Sequence, residues 1–446
     1  MKPVNIGIIG LGTVGCGVVN VLHRNAEEIS RRAGRRIVVT HGVVRDIGRL
    51  RACPTDAFSM TTDPKEVTDH PDIDIVVELI GGLEISRDVV QRSLANGKHV
   101  VTANKALIAE HGNEIFALAR DKGLTVAFEA AVAGGIPVIK VLREGLAGNR
   151  INRVAGIING TSNYILTNML ENDVDFSKSL AEAQRLGYAE SDPVFDIEGT
   201  DAAHKLAILA SIAYGIPLKF DQVYIEGITG VTSEDIRYAT DLGYRIKHLG
   251  LAIRRDDGIE LRTHPCLVPN EELLANVNGV MNAIQIEGDA VGPTLHYGAG
   301  AGSEPTASAV VADIVDVVRA LTTDPNNRVP HLAFQPQSLS DLPILNIERA
   351  ETPFYMRLNA LDQPGVLADV TRILGSQSIS IETILQKGTS SQGHTVPIVI
   401  ITHDTLEKAM NEAIEEIEAL DCVHGVVHRI RLEMLGSHGA NYEVKP

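Results

Sequence analysis

The chain has 446 residues, an apolar share of 44%, an aromatic share of only 4% and no tryptophan. This length predicts about three domains, and the composition is typical of an α/β core of small aliphatic side chains. The net charge of −17 argues against nucleic acid and anionic membranes as partners, because both require basic surfaces.

The cysteine pattern and the hydropathy of the sequence indicate in which cellular compartment the protein is located. Cys16, Cys53, Cys266 and Cys422 are scattered without a C-x-x-C pair, which predicts neither a disulfide framework nor a zinc site. The first residues lead directly into a strand pattern, and no apolar run is long enough to cross a bilayer. We therefore expect a cytoplasmic protein without a signal peptide or transmembrane segment.

The N-terminal segment carries a dinucleotide-binding pattern. The apolar run VNIGIIG, typical of a buried parallel strand, leads into GLGTVG, and a helical pattern follows. Glycines there permit a tight turn and close approach of the backbone to a pyrophosphate, which the helix N-terminus stabilises. The predicted cofactor-binding residues of this turn are Gly10, Gly12, Thr13, Val14 and Gly15.

Strand and helix patterns alternate beyond this turn. Further strands are predicted at 37–44, 72–81, 99–103 and 124–130, with helical patterns between them. Such alternation predicts a doubly wound parallel sheet of the Rossmann type.

The residues after the second strand bear on the choice between NAD and NADP. An acidic residue there binds the ribose 2′-hydroxyl of NAD, whereas an arginine accommodates the 2′-phosphate of NADP. Arg45 comes first, Asp46 follows, and Arg49 and Arg51 are close behind. This order favours NADP and leaves NAD open.

Two further segments suggest ligand contacts. Lys105 follows the strand at 99–103, at the end where open α/β sheets bind ligands, but a surface lysine that starts the next helix fits equally well. The glycine-rich segment at 298–306 precedes a helical pattern, as anion-binding loops do. We expect it to close the crevice against the cofactor, with Gly302 among the contacts; a flexible loop is the alternative.

The stretch AESDPVFDIEGTDAAHK at 189–205 gathers five carboxylates before a single lysine. With Thr200 as N-cap, Asp201 and Lys205 lie four residues apart on one helix face. An exposed ion pair of about 0.3–0.5 kcal/mol is one interpretation. The following run, LAILASIA, is apolar nearly all round, which predicts a buried helix and favours an acidic pocket for a small cationic substrate.

Six motifs follow one another along nearly the whole chain: GLGTVG (10–15), TANK (102–105), FEAAVAGGIPVI (128–139), NGTSNYIL (159–166), GYAESDPVFDIEGTDAAHK (187–205) and GAGAGSEPTAS (298–308). Their order resembles that of the homoserine dehydrogenases, in the long form that ends in an ACT domain. Any one motif alone would be unspecific, whereas the six together are very specific.

The resemblance implies reversible hydride transfer between NAD(P)H and L-aspartate 4-semialdehyde, which gives L-homoserine in threonine, methionine and isoleucine biosynthesis. It implies Lys205 as the general acid/base and Lys105 as a second lysine near the carbonyl, the nicotinamide and the cofactor. The substrate carries an α-ammonium, which neighbouring carboxylates bind well. The implied substrate-binding residues are Glu190, Asp201, Asp196 and Gly187.

The resemblance also implies a structural monovalent cation, such as Na⁺, at the turn after FEA. A carboxylate with backbone carbonyl groups suits a hard cation. By position, the ligands are Glu129 and the backbone of Val132, Gly134 and Ile136.

The composition changes near the C-terminus, where a Pro/Ser-rich linker precedes a βαββαβ order of patterns that is ferredoxin-like. Its first three strands are predicted at 354–361, 379–387 and 395–402. The stretch at 362–367 resembles the ACT domain, a module that binds amino acids between paired copies. Backbone N–H groups at a helix N-terminus suit a carboxylate there. The implied effector residues are Asp362, Gly365, Val366 and Leu367.

The predicted organisation comprises a Rossmann-type NAD(P)-binding domain (1–135, completed by 300–330), an α+β substrate-binding and dimerisation domain (136–300), a linker (331–352) and an ACT domain (353–435). We expect feedback inhibition by L-threonine through the ACT domain and self-association as a dimer or tetramer. An ACT domain that only dimerises is the alternative, since allostery requires two states of different effector affinity.

Other functions fit less well. An aspartate-semialdehyde dehydrogenase needs a nucleophilic cysteine, and no cysteine lies in such a motif. A catalytically silent amino-acid sensor of the same fold is the main alternative, and the intact Lys105, Glu190, Asp201 and Lys205 argue against it. We expect a monofunctional enzyme rather than a kinase fusion, because the chain begins at the Rossmann strand.

Overall fold

The computed structural model describes residues 2–386 and 395–436. The helices are α1 Thr13–Arg24, α2 Ala26–Ala33, α3 Lys65–Thr68, α4 Glu84–Ala95, α5 Lys105–Asp121, α6 Val138–Lys140, α7 Gly160–Asn172, α8 Phe176–Arg185, α9 Val194–Ile197, α10 Thr200–Tyr214, α11 Ser233–Asp241, α12 Ser303–Ala320, α13 Val366–Ser376 and α14 Glu407–Glu418. The strands are β1 Val4–Ile9, β2 Ile37–Val43, β3 Ser59–Thr61, β4 Ile75–Glu78, β5 His99–Thr102, β6 Val126–Ala127, β7 Ile151–Ile157, β8 Tyr224–Ile225, β9 Tyr244–Arg255, β10 Gly258–Pro269, β11 Met281–Gly288, β12 Gly292–Ala299, β13 Glu351–Thr352, β14 Phe354–Leu361, β15 Ile381–Gln386, β16 Thr395–Thr402, β17 Thr405–Leu406 and β18 Val423–Leu432.

These elements form two compact units. The first unit consists of the described residues up to Gly160 together with Asp201–Val223 and Val280–Leu342. The second unit consists of Thr161–Thr200, Tyr224–Gly279 and the described residues from Pro343 onward. The domain boundaries inferred from the sequence divide the chain differently and stay a prediction.

The first unit contains the predicted Rossmann-type sheet. Six parallel strands lie in the order β3-β2-β1-β4-β5-β6. The strand order reverses between β1 and β4, and such a switch point opens a ligand crevice at the carboxyl ends of the strands. Helices α1 and α12 pack on the sheet through buried aliphatic side chains such as Val18, Val310 and Ile314.

The last predicted strand of this sheet is shorter than expected. Strand β6 covers only Val126–Ala127, and Glu129–Ala131 forms a 3₁₀ turn instead. After Pro137 the chain forms one short helical turn, α6, followed by a π-helical turn at Val141–Gly145. The buried Glu129 carboxylate accepts the backbone N–H groups at the start of α6, so this side chain fixes the irregular turn.

The first unit also holds a three-stranded antiparallel arrangement. Strand β11 pairs with β7 on one side and β12 on the other, with Ile284 opposite both Gly156 and His296. Strand β12 leads through the glycine-rich segment into α12, which places that segment next to the Rossmann sheet.

Helix α10 begins at Thr200, one residue before the predicted start. All its residues from Asp201 to Tyr214 are buried, as its apolar pattern indicated. Within the described residues, no helix has the length and hydropathy needed to cross a membrane.

The second unit contains the predicted βαββαβ module. Strands β18-β14-β16-β15 form its antiparallel sheet, and α13 and α14 cover one face through residues such as Val370 and Met410. The strands predicted at 354–361 and 395–402 have those bounds. The strand predicted at 379–387 is observed as β15, and its last residue lies outside the described residues.

The sheet of this module does not end at β18. Strand β18 also pairs in parallel with β10, at Cys266↔Arg431 and Leu267↔Leu432, and β10 pairs with β9 along its whole length. The C-terminal module is therefore continuous, through backbone hydrogen bonds, with the β9–β10 hairpin.

Candidate active site

The glycine-rich turn has the geometry that a dinucleotide requires. Gly10 adopts φ +105°, a left-handed conformation that favours glycine. A Cβ on Gly15 would lie 2.0 Å from the Gly10 carbonyl oxygen, so the turn closes only with glycine there. A Cβ on Gly12 would meet nothing within 4 Å, so this face of the turn is open for a ligand to approach the backbone.

A cavity of about 470 Å³ adjoins this turn. It is lined by the backbone of Gly12 and Thr13, by Arg49 and Arg51 from the loop after β2, and by Ser303. The guanidinium of Arg51 donates to the carbonyl oxygens of Arg49 (2.6 Å) and Asp46 (2.7 Å). Arg51 therefore braces the loop.

The remaining charged residues of this loop are exposed. Arg45 and Arg49 both lie in its exposed part. The Asp46 carboxylate accepts the backbone N–H of Gly48 at 2.8 Å, so this side chain stabilises the loop itself. The arrangement therefore gives the cavity a positive rim.

The second glycine-rich segment lies against the first. The Ser303 hydroxyl donates to the Thr13 carbonyl oxygen at 2.7 Å, and Arg24 pairs with Glu304 at 2.7 Å. Gly302, with φ +117°, is the N-cap of α12. The two glycine-rich segments are therefore in direct contact.

Two lysines share one buried aspartate. Lys105 is the first residue of α5, whose N-cap Asn104 accepts the Leu107 N–H at 3.1 Å. Its Nζ lies 2.8 Å from Asp201 Oδ1, and Lys205 Nζ lies 2.7 Å from Asp201 Oδ2. The interpretation of Asp201 and Lys205 as an exposed ion pair is thus wrong, because their side chains are only 4% and 11% exposed.

The charges of this cluster do not cancel. Burial alone would raise the pKa of Asp201, but the two lysine ammonium groups hold it well below its usual range. One carboxylate between two ammonium groups leaves a net positive charge at a site where Asp201 and Lys205 are buried and Lys105 is 35% exposed. Such a site stabilises negative charge that develops on a bound oxygen atom.

The cluster includes groups that the sequence did not identify. Asn159 donates from Nδ2 to Asp201 Oδ2 at 2.7 Å, and Lys205 Nζ donates to the Ile158 carbonyl oxygen at 2.7 Å. The sequence at Asn159 predicts only a tight turn between a strand and a helix. Its place two residues after the end of the apolar strand β7 was the available signal.

The remaining predicted substrate residues lie in the second unit, on the loop between α8 and α10. Gly187 has φ +78°, and Glu190 is exposed while its carbonyl oxygen accepts from Gln184 at 3.0 Å. The carbonyl oxygen of Asp196 accepts the Ser162 hydroxyl at 3.0 Å. Hydrogen bonds to side chains of α7 and α8 therefore hold the loop, and the Glu190 side chain is exposed.

Two buried carboxylates meet at the turn after β6: Glu129 in the turn itself and Asp313 on α12. Glu129 is 1% exposed, and its two oxygens accept the Ile139 and Lys140 N–H groups, each at 2.9 Å. The backbone N–H of Glu129 donates to Asp313 at 2.8 Å. Burial raises the pKa of Glu129 to about 7, and burial together with the Glu129 charge raises the pKa of Asp313 to about 8.

These two acids lie side by side, and the charges of Arg143 and Lys140 only partly offset the effect of their burial, which fits a bound cation. Ala133 and Gly134 have φ +55° and +49°, so the chain turns sharply beside Glu129 at Val132, Gly134 and Ile136. This donor set, a carboxylate with neighbouring carbonyl groups, is the kind that hard cations prefer.

The predicted effector residues lie at the start of α13. Gly365 has φ +101° and is the N-cap, and Asp362 and Leu367 are exposed. The Val366 side chain packs in the core of the module, so only its backbone is available to a ligand.

Comparison with known proteins covers nearly the whole chain. Three family models match: the homoserine dehydrogenase NAD-binding domain at 10–129, homoserine dehydrogenase at 137–315 and the ACT domain at 355–422. The chain is 62% identical to a homoserine dehydrogenase of Pseudomonas aeruginosa, over 98% of this chain and 100% of that protein.

Solved structures agree. A homoserine dehydrogenase from Thiobacillus denitrificans superposes with a TM-score of 0.93 at 61% identity, over 98% of this chain and 99% of that one. A hyperthermophilic archaeal homoserine dehydrogenase in complex with NADPH matches with a TM-score of 0.61 at 27% identity, over 71% of this chain and 98% of that one. The chain belongs to the homoserine dehydrogenase family of oxidoreductases, with an NAD-binding domain, a catalytic domain and a C-terminal ACT domain.

Proposed function

We propose that Lys205 is the general acid/base of this homoserine dehydrogenase and that Lys105 assists it at the reacting oxygen. The observation that supports this is the pair of ammonium groups on the buried Asp201, at 2.7 and 2.8 Å. When bound, the nicotinamide cofactor supplies the hydride chemistry. The lysines stabilise the alkoxide-like charge on the substrate oxygen and move its proton, a contribution typically worth about 10²–10⁴-fold in rate.

Asp201 has two roles in this proposal. It fixes both Nζ atoms at hydrogen-bond distance, and it binds L-homoserine beside them, as the family resemblance implies. Asn159, which donates to the same carboxylate oxygen at 2.7 Å, orients the aspartate. In homoserine oxidation, the hydroxyl proton passes to a neutral lysine while the carbon-bound hydrogen leaves as hydride.

The α-ammonium of the substrate would be bound by the carboxylates of the loop between α8 and α10. Glu190 offers an exposed carboxylate for this, and Asp196 supports the loop through its backbone. Gly187, with φ +78°, supplies the turn at which the loop begins. Charge-assisted hydrogen bonds of this kind give both affinity and orientation.

For the cofactor, we propose a preference for NADP. Arg45 and Arg49 lie on an exposed loop next to the cavity at the glycine-rich turn, and Arg51 braces that loop. The pyrophosphate would meet the backbone of Gly10, Gly12, Thr13, Val14 and Gly15, and Gly302 would contact the cofactor from α12. The archaeal relative with NADPH bound supports the same class of ligand.

A structural Na⁺ at Glu129, with backbone groups of Val132, Gly134 and Ile136, is a further part of the proposal. The two buried acids whose pKa values are raised, Glu129 and Asp313, support it. Its role would be to hold the turn after β6, and no chemical step depends on it.

We also propose that the ACT domain binds an amino acid, with L-threonine as the expected inhibitor. The site would comprise Asp362, Gly365, Leu367 and the backbone of Val366, at the N-terminus of α13. ACT domains pair, which supports a dimer or tetramer. A cytoplasmic location is proposed as well, because the four cysteines are free.

The test is the absorbance of the nicotinamide band when the purified protein is mixed with L-homoserine and NADP⁺ or NAD⁺. We expect cofactor reduction with both, a lower KM for NADP⁺ than for NAD⁺, and inhibition by added L-threonine. A folded protein that reduces neither cofactor at alkaline pH would contradict the catalytic assignment and favour the amino-acid sensor.

A further inference from the structure

A buried arginine of the ACT domain reaches a carboxylate outside that domain. Arg431 lies on β18 and is 0% exposed. Its guanidinium donates twice to Glu407 within the ACT domain, at 2.8 and 2.6 Å. Its remaining terminal nitrogen donates to Glu226, just after β8, at 2.8 Å.

This contact orients the carboxylate of Glu226, while Thr263 and His248 hold its backbone. The Tyr224 hydroxyl donates to the same carboxylate oxygen at 2.8 Å and accepts from Arg431 at 3.2 Å. Burial alone would raise the pKa of Glu226, but the charge of Arg431 and the Tyr224 hydroxyl hold it below its usual range. Glu226 is therefore a fixed, ionised group between β8 and the ACT sheet.

The residues after Glu226 hold the loop to which the substrate is assigned. Ile228 N–H donates to the Ile197 carbonyl oxygen at 2.8 Å, and the Thr229 hydroxyl donates to Glu198 at 3.2 Å. A Cβ on Gly227 would lie 2.4 Å from the Ile197 carbonyl oxygen, so the two backbones are in close contact.

We propose that Arg431 and Glu226 are positioning residues, through which the ACT domain holds the loop at 187–199 in its substrate-binding arrangement. This inference rests on the proposed function, which assigns that loop to the substrate. The path is short and contiguous: β18 holds Glu226, Glu226 fixes 227–229, and 227–229 fix Ile197 and Glu198. A shift of β18 would therefore change the affinity for L-homoserine before it changes the chemical step.

The test is Glu226→Ala in the full-length protein. Glu226 is preferable to Arg431, because its side chain is 30% exposed and water can replace it, whereas loss of Arg431 would remove two hydrogen bonds from the buried Glu407. Because a charge-assisted contact is lost, we expect the KM for L-homoserine to rise about tenfold. The kcat and the KM for NADP⁺ should stay within about twofold.

Two further variants separate positioning from general damage. Glu226→Gln keeps an oxygen acceptor for Arg431 and should restore the KM to within about threefold of the unmodified protein. Arg429→Ala is the matched control: Arg429 lies on the same strand and pairs with the same Glu407 at 2.8 Å, but among the described residues it makes no hydrogen bond to Glu226, which it affects only through its charge. It should leave the KM for L-homoserine unchanged.

An unchanged KM in Glu226→Ala would overturn the inference, as would an equal fall in kcat or the same effect from Arg429→Ala. If Glu226→Ala does not fold, Tyr224→Phe removes only the hydroxyl that orients Glu226, and a smaller rise in the same KM is expected; no rise would overturn it. Loss of all cofactor reduction in the unmodified protein would instead contradict the proposed function itself.

Discussion

Replacement of Asp201 by Asn tests the electrostatic core of the site. The carboxylate lies 2.7–2.8 Å from two Nζ atoms, where each attraction is about 6 kcal/mol at an effective dielectric constant of about 20. Desolvation offsets much of this, and removal of one partner from a buried ion pair typically costs about 3–5 kcal/mol. In addition, the Asn side chain would point an N–H donor at one of the two ammonium groups.

We expect the free energy of unfolding at neutral pH to fall by about 3–5 kcal/mol. A carboxylate whose pKa is held low in the folded state adds stability above its unfolded pKa of about 3.9, and this is lost as the pH falls through the folded value. The Asn variant should lack that acid dependence. Homoserine oxidation should also slow, because both Nζ atoms lose the carboxylate that fixes them.

The measurements are urea unfolding between neutral and acid pH and the kcat of homoserine oxidation. Asp192→Asn is the matched control, since Asp192 lies in the same acidic stretch but is exposed and accepts only the Val194 N–H at 3.3 Å. This control should stay within about 0.5 kcal/mol of the unmodified protein. If Asp201→Asn also unfolds within about 0.5 kcal/mol of the unmodified protein and keeps its kcat, Asp201 is not the electrostatic core of the site.

Three other outcomes are expected. Arg49→Ala should raise the KM for NADP⁺ about tenfold in steady-state kinetics and leave the KM for NAD⁺ unchanged, since only NADP offers a 2′-phosphate; equal effects on both would count against the arginine site. Burial lowers the pKa of Lys247 to about 7, so the free energy of unfolding should increase as the pH rises from 7 towards about 10, and Lys247→Met should flatten that increase in urea titrations. Na⁺ should raise the melting temperature of the unmodified protein relative to a bulky organic cation, and Glu129→Gln should abolish this difference.

Local patterns in the sequence were enough to predict several elements. Strand β14 alternates between apolar and polar residues, and β16 is a mostly apolar run; turn residues flank both. These patterns predict their bounds at 354–361 and 395–402. Strands β3 and β12 were not predicted, because one has three residues and the other contains glycine and proline. Short or glycine-containing strands depend on their neighbours in the sheet more than on their own pattern.

Of the candidate site, the sequence predicts only the contacts between residues that are close along the chain. Asp201 and Lys205 are four residues apart on one helix, and that spacing alone predicts their contact. Asn159 and Lys105 reach the same carboxylate from 42 and 96 residues away respectively, and no local pattern encodes such contacts. The Arg431–Glu226 pair likewise depends on the parallel pairing of β10 with β18, whose register the sequence does not specify.

The most direct test of Lys205 as the proposed general acid/base is the variant Lys205→Met. Its kcat is measured from the absorbance of the nicotinamide band with L-homoserine and NADP⁺, and its affinity for NADP⁺ is measured separately by fluorescence. We expect kcat to fall by about 10²–10⁴-fold while NADP⁺ affinity stays nearly unchanged, because in the proposed mechanism Lys205 transfers a proton and does not bind the cofactor. A folded Lys205→Met protein with near-normal turnover would contradict the assignment of Lys205 as the general acid/base.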